Sequence, residues 1–245
     1  IGDKALAEDA LRFCERIAAA TNEHAWNGMY YLRALSKYGT VGDSAPVYIN
    51  PQSWAILGDV VPADRLQTLL DSIDRYETPE GIRLCSPAYE TYDPAVGRMS
   101  GMRPGAYENG GIYNHACGFK VMADCKLGRA ENALRTLLAM IPDSSEHNPT
   151  ELTTTEPFVF TNCYLQNRTE NMMVGFSWQT GSSAWGLRSF YEGILGLTRT
   201  YDGLRVMPCL PKEWDEIRAV RHYRGSELHL HYVRGNGDGT VLYVD

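Results

Sequence analysis

The hydrophobic period changes once along this 245-residue chain, just after Gly196. Before that point apolar residues recur at spacings of three and four, the repeat of a helix that buries one face. Beyond it they alternate with polar residues, the repeat of a strand covered on one side. Such a chain folds as a helical unit followed by an all-β unit, with most of the mass in the helices.

Leu6, Ala10, Phe13, Cys14 and Ile17 predict a helix over residues 4–20. Tyr30, Leu32, Ala34 and Leu35 predict a second over 29–38, stopped by Gly39. A short helix is expected over 51–58. Pro62 opens another that runs to Tyr76, with Leu66, Leu69, Leu70 and Ile73 on one face. Helices are expected again over 111–127 and 129–141, ended by Gly128 and Pro142, and over 156–166 and 181–195. Antiparallel helix pairs joined by long loops predict part of an α/α toroid or a similar helical array. Strands are expected at 204–208, 217–223, 226–233 and 240–244, with a turn at Gly235–Gly239. The expected division is a helical domain over 1–200 and the start of a β domain over 201–245. The helices are too few to close a toroid and the strands too few to close a sandwich, so the chain reads as a fragment of a longer one.

Residues 77–110 hold no period and are rich in Pro, Gly, Ser and Tyr, which marks a long functional loop. The formal net charge of −7 comes without any basic block, which argues against nucleic acid as a partner. No apolar run reaches the roughly 18 residues of a membrane span. The six cysteines are scattered without CxxC pairs, as reduced buried thiols of a cytoplasmic protein would be. No metal-ligand cluster, P-loop or G-x-S-x-G elbow stands out, and Asn167-Arg168-Thr169 reads as a chance sequon. Fifteen Tyr and five Trp supply flat apolar faces with a polar tip, which suit sugar rings as well as protein cores.

Five segments carry possible chemistry. Trp178-Gln179-Thr180-Gly181-Ser182-Ser183-Ala184-Trp185 places hydroxyls and free N–H groups at a helix start. That is an anion site, or a plain N-cap between core tryptophans. Gly105 to His115 pairs glycines with Glu108, Asn109 and His115 ahead of the next helix, either to approach a ligand or to make a turn. Asn22–Gly28 and Tyr48–Trp54 set aromatics beside amides and carboxylates, as both sugar sites and packed loops do. Glu156 is a first-turn acid or an N-cap.

HAWNG at 24–28, NPQSWA at 50–55, PG-x-x-ENGG at 104–111 with His115, GR at 128–129, EPFV at 156–159, WQTGSSAW at 178–185, GILGL at 193–197, YDGLRVMPCLP at 201–211 and Tyr223-Arg224-Gly225 follow one another in this order. Taken together they resemble the glycoside phosphorylases of glycoside hydrolase family 94, nearly end to end. The resemblance implies an (α/α)6 toroid followed by a jelly-roll-like β-sandwich, and usually a homodimer. It implies inverting phosphorolysis of a β-glucoside, with cellobiose as first choice, to α-glucose 1-phosphate and a shortened acceptor. Inorganic phosphate would be the co-substrate, with no other cofactor. By resemblance, His115, Thr180 and Gly181 bind phosphate and Glu108 holds the donor sugar. Three positions depart from the family pattern: Asn27 replaces Asp, Ser182 replaces Thr, and Tyr107 replaces Lys. The family's general acid, an Asp in a Trp-Asn-Asp-like segment, and a phosphate-binding Arg are expected N-terminal of this chain.

Phosphorolysis with inversion needs one carboxylic acid, because phosphate arrives as an anion; inverting hydrolysis needs a second carboxylate to activate water. The alternatives are an inverting hydrolase on the same kind of toroid, with Glu108 and Glu156 as its two carboxylates, and a non-catalytic glycan-binding fragment.

Overall fold

The structure is a computed structural model that describes residues 2–37, 39–43, 46–143, 154–166, 172–178 and 180–235. The predicted strand at 240–244, most of the Gly235–Gly239 turn, the sequon and Gln179 lie outside the described residues.

Up to Gly196 the longest elements are helices. Helix α1 (Lys4–His24) is capped by Asp3, whose carboxylate accepts from the Leu6 N–H at 3.0 Å. Two-residue strand β3 (Val47–Tyr48) runs into α2 (Ile49–Leu57), and α3 (Ala63–Asp74) starts directly after Pro62. After the long loop come α4 (Asn114–Lys126) and α5 (Ala130–Ala139), which pack as a pair. Helix α6 (Ser182–Arg188) continues without a break into a π-helical turn, Ser189–Ile194. The main core lies between these helices, with Ile56, Leu69, Ile73, Val121, Leu137, Met140 and Ile194 in one cluster. The apolar stripe of α1 is real, but Leu6, Phe13 and Ile17 lie exposed along it.

Two predicted helices are not helical. Over 29–38 the chain forms a turn and a tight hairpin, β1 (Ala34–Ser36) with β2 (Gly39–Val41). The Asn27 side chain accepts from the N–H groups of Met29 and Tyr30 at 3.1 and 3.0 Å, which closes a turn where a helix would begin. Buried Gln52 then takes both backbone groups of Tyr31, at 2.9 and 2.8 Å, so that neither is left for a helical bond. Over 156–166 the expected helix is replaced by strand β8 (Thr161–Gln166), the centre of a three-stranded sheet with β7 (Ile112–Tyr113) and β9 (Met172–Ser177). Thr161, Cys163 and Leu165 are buried there and pair antiparallel with β9, so partners outside the segment override the local pattern.

Short antiparallel pairs stitch the helical part together: the hairpin of β4 (Glu77–Thr78) with β5 (Gly81–Ile82), and the long-range pair of β3 with β6 (Cys85–Ser86). After Gly196 two antiparallel hairpins follow, β10 (Leu197–Arg199) with β11 (Leu204–Val206) and β12 (Glu216–Tyr223) with β13 (Ser226–Val233). Tyr232 ties the last of them to the helices by donating to the Leu195 carbonyl at 2.9 Å.

An ion cluster joins the elements under the core. Lys120 of α4 is 1% exposed, and its ammonium lies 2.5 Å from Glu77 and 2.5 Å from Asp124. Arg129 bridges Asp124 and Asp74, and Arg135 closes on Glu77. Burial alone would raise the Glu77 carboxyl, but Lys120 and Arg135 outweigh it and hold it below its ordinary range. A depressed carboxyl adds stability above the unfolded-state pKa and loses it as pH falls through the folded one. Replacing Lys120 by Ala is therefore expected to cost about 3–5 kcal/mol, because two carboxylates lose their shared cation. Urea denaturation at pH 7 measures the loss, and in the native chain the contribution of Glu77 should fade as pH drops below about 4.5, while Asp124, raised by its burial, works in the opposite sense.

Candidate anion and sugar site

Two helix starts meet at one place. The amide of buried Asn114 donates to the Thr161 carbonyl at 3.1 Å and to its hydroxyl at 3.0 Å, which pins the start of α4 to β8. One residue further on, His115 faces the start of α6. Its Nδ1 lies 3.3 Å from Oγ of buried Ser182, although 67 positions separate the two. Ser182 Oγ is 2.6 Å from Thr180 Oγ1, which also accepts from the Ser182 N–H at 2.9 Å. Gly181 presses on the imidazole, and a Cβ built there would lie 2.9 Å from His115 Nε2. The backbone at 181 is one any residue can adopt, with φ −86°, so the glycine answers to close approach alone.

His115, Thr180 and Gly181, singled out in the sequence, are thus brought into one contact. The N–H groups of the first turn of α6 are free of helical partners and sit at the positive end of the helix dipole. Burial lowers the pKa of His115 below its ordinary value, leaving a neutral ring with one N–H to donate at pH 7. Hydroxyls and an imidazole N–H gathered beside a helix start suit a tetrahedral oxyanion.

Glu108 is placed by a different device. Its loop is organised around Asn109, fully buried, whose amide donates to the carbonyls of Tyr89 and Met102 at 2.9 and 2.7 Å and accepts from the Tyr89 N–H at 2.7 Å. Gly110 follows at φ 85°, where a Cβ would meet that of Ala88 at 2.9 Å. The loop leaves the Glu108 carboxylate against the Tyr113 hydroxyl, two residues before His115. The Tyr113 pKa is raised by burial first and then by neighbouring Cys163 and Glu108.

Exposed aromatics stand over this region. Phe176 and Trp178, both at positive φ, project from the end of β9, and Phe176 meets Tyr107 with ring centroids 5.9 Å apart. The Trp178 indole donates to exposed Glu156 at 3.4 Å. In the other two marked segments Trp26 meets Tyr31 edge to face and lies under Arg65, Gln52 holds the Tyr31 backbone, and Trp54 is half exposed. Ser182 was legible as the hydroxyl next to Thr180-Gly181, whereas Tyr113 and Phe176 were not singled out in the sequence and are brought in by strand pairing that no local pattern announces.

Residues 1–196 match the model of the Glycosyl hydrolase 94 superfamily, catalytic domain. The chain belongs to this family. Its catalytic domain is of the (α/α)6 toroid type, and helices joined by small sheets are what the described residues show. The chain is 35% identical over 237 residues to the solabiose phosphorylase of Paenibacillus borealis, covering 94% of this chain and 31% of that protein. It is 32% identical over 251 residues to the 3-O-beta-D-glucopyranosyl-beta-D-glucuronide phosphorylase of the same organism, covering 98% of this chain and 32% of that protein. An N,N'-diacetylchitobiose phosphorylase of Vibrio furnissii is 26% identical over 230 residues, 90% of this chain and 29% of that protein. The chain thus spans about a third of the length of the curated relatives it matches.

Two measurements test this geometry. Gly181→Ala is expected to displace the imidazole while the fold persists, read as a shifted His115 ring resonance in NMR with an unchanged circular dichroism spectrum. In the unsubstituted protein His115 should titrate below its ordinary 6.5. Its lowered pKa makes its contribution to stability fall as pH drops below that value, and phosphate should move the midpoint upward, because an anion favours the imidazolium.

Proposed function

We propose that this chain carries the phosphate and donor-sugar part of an inverting β-glycoside phosphorylase. The observation that supports the reading best is the contact of His115 with Gly181 and Ser182 beside the Thr180 hydroxyl, at a helix start. Phosphate held by His115, Thr180 and Gly181 attacks C1 of a sugar oriented by Glu108. The C1–phosphate bond forms on the face opposite the leaving group as the glycosidic bond breaks. A carboxylic acid protonates the departing oxygen, and α-glucose 1-phosphate and the shortened acceptor leave. By resemblance to the family, that acid is an Asp belonging to sequence N-terminal of these residues. Phosphate needs no general base, so catalysis rests on positioning and charge complementarity.

The substrate class is a β-linked glucosaccharide, cellobiose first, with inorganic phosphate as co-substrate and no further cofactor. Residues 1–200 form part of the toroid and 201–245 begin a β-sandwich of jelly-roll type, in a cytoplasmic homodimer. In the hydrolase alternative Glu156 fits the base and not the acid: its side chain is exposed, and its carboxyl is held below the ordinary range by its own backbone N–H and by the Trp178 indole.

The deciding experiment incubates the full-length protein with α-glucose 1-phosphate and glucose, cellobiose, N-acetylglucosamine or gluconate, and measures released phosphate. Release with one acceptor is expected. Sugar release from β-glucans in phosphate-free buffer would point to a hydrolase instead, and silence in both assays to a binding protein. His115→Ala or Thr180→Ala should lower kcat/KM for phosphate about 10- to 100-fold, the worth of one charge-assisted hydrogen bond. Glu108→Gln should act mainly on the sugar, leaving the KM for phosphate nearly unchanged.

A further inference from the structure

A second cleft lies at the other end of the helix that begins at Ser182. It has a volume of about 510 Å³ and is lined by Arg199 and Tyr201 of the β10–β11 hairpin and by Arg221, His222, Tyr223 and Arg224 of the β12–β13 hairpin. Tyr191, nine residues after Ser182 and so roughly 13 Å along the helix, lies under the Arg221 guanidinium at 4.6 Å. The cleft therefore stands apart from the His115 site.

Its composition runs against the rest of the chain. The protein carries a formal charge of −7, yet three arginines are among the residues that line this one open cleft. Among the described residues none of Arg199, Arg221 and Arg224 is ion-paired. Glu227, opposite His222 in the hairpin, is engaged by His229 at 2.8 Å and by His222 at 3.6 Å, and Asp202, next to Tyr201, forms no ion pair with these arginines among the described residues. Like charges held together without counter-charge repel, and an anion relieves that repulsion.

The walls are also held in place. Arg224 donates to the Tyr201 carbonyl at 3.1 Å and stacks over Tyr223 at 5.2 Å. The Tyr223 hydroxyl donates to the Gly203 carbonyl at 2.9 Å, which locks one hairpin to the other. Tyr201, by contrast, is 91% exposed. A ring left open at the mouth of a cationic cleft offers a flat apolar face for stacking, and the guanidinium forks match phosphate or carboxylate oxygens.

We infer that this cleft is a second, non-catalytic binding site for a small anionic sugar, with the sugar ring on Tyr201 and its phosphate or carboxylate on the arginines. A cavity of this size falls in the range of small-molecule sites. Arginine is the residue whose planar fork can bind such an anion in two places at once.

Calorimetric titration of the full-length protein tests the inference, in a His115→Ala background that weakens the first anion site. The probes are glucose 6-phosphate, glucuronate, glucose and inorganic phosphate. Saturable binding of at least one charged sugar is expected, with glucose and inorganic phosphate each about tenfold weaker or more. Glucose 6-phosphate against glucuronate tells whether phosphate or carboxylate is the preferred anion. Tyr201→Ala and Arg199→Glu, both on the surface, should each weaken that binding about tenfold or more. Absence of charged-sugar binding in the His115→Ala background overturns the proposal. So does binding that survives both surface substitutions unchanged, or inorganic phosphate binding as tightly as the sugar phosphate.

Discussion

The fold depends on a cation that has left water. Lys120 sits inside α4 with its ammonium shared between Glu77 and Asp124. Asp124 passes the charge on to Arg129, which also holds Asp74 at the end of α3. One buried charge thus fixes the relative positions of α3, the β4–β5 hairpin, α4 and the start of α5. The apolar cluster above it supplies most of the favourable burial, but apolar contact is non-directional and leaves the helices free to slide. Hydrogen-bonded charges do not, because a small displacement strands one of them without a partner. Since α4 carries His115 at its first turn, the ion cluster at its far end also sets where that imidazole stands.

The helices with a clean period of three and four were legible in the sequence. Leu66, Leu69, Leu70 and Ile73 marked α3, and Gly128 marked the break between α4 and α5. The failures share a cause. The segments at 29–38 and 156–166 carry residues that tolerate a helix, and long-range partners decided otherwise: Gln52 reaching Tyr31 across 21 positions, and β9 pairing with β8. A periodicity argument sees only neighbours along the chain, so it has no access to a competing bond offered from elsewhere. For the same reason Thr180-Gly181 and His115 were each legible as candidate anion ligands, while the contact between them was not.

The helix starting at Ser182 links two regions that the change of period seemed to separate. Its first residue touches His115, and its last turn packs with Leu195, Leu197 and Tyr232 in the cluster beneath the C-terminal hairpins. The π-helical turn at Ser189–Ile194 widens the helix where it passes α4, and Gly193 comes so close that a Cβ there would meet Cys125 Sγ at 3.1 Å. The change of period at Gly196 therefore divides secondary structure, and the packing runs through it.

The absence of a side chain at position 181 also limits what that position can hold. Every replacement for glycine adds at least a Cβ, and the space for that atom is already occupied by the His115 ring. The ring can yield only by moving away from the helix start, so any side chain at 181 trades the contact for its own space.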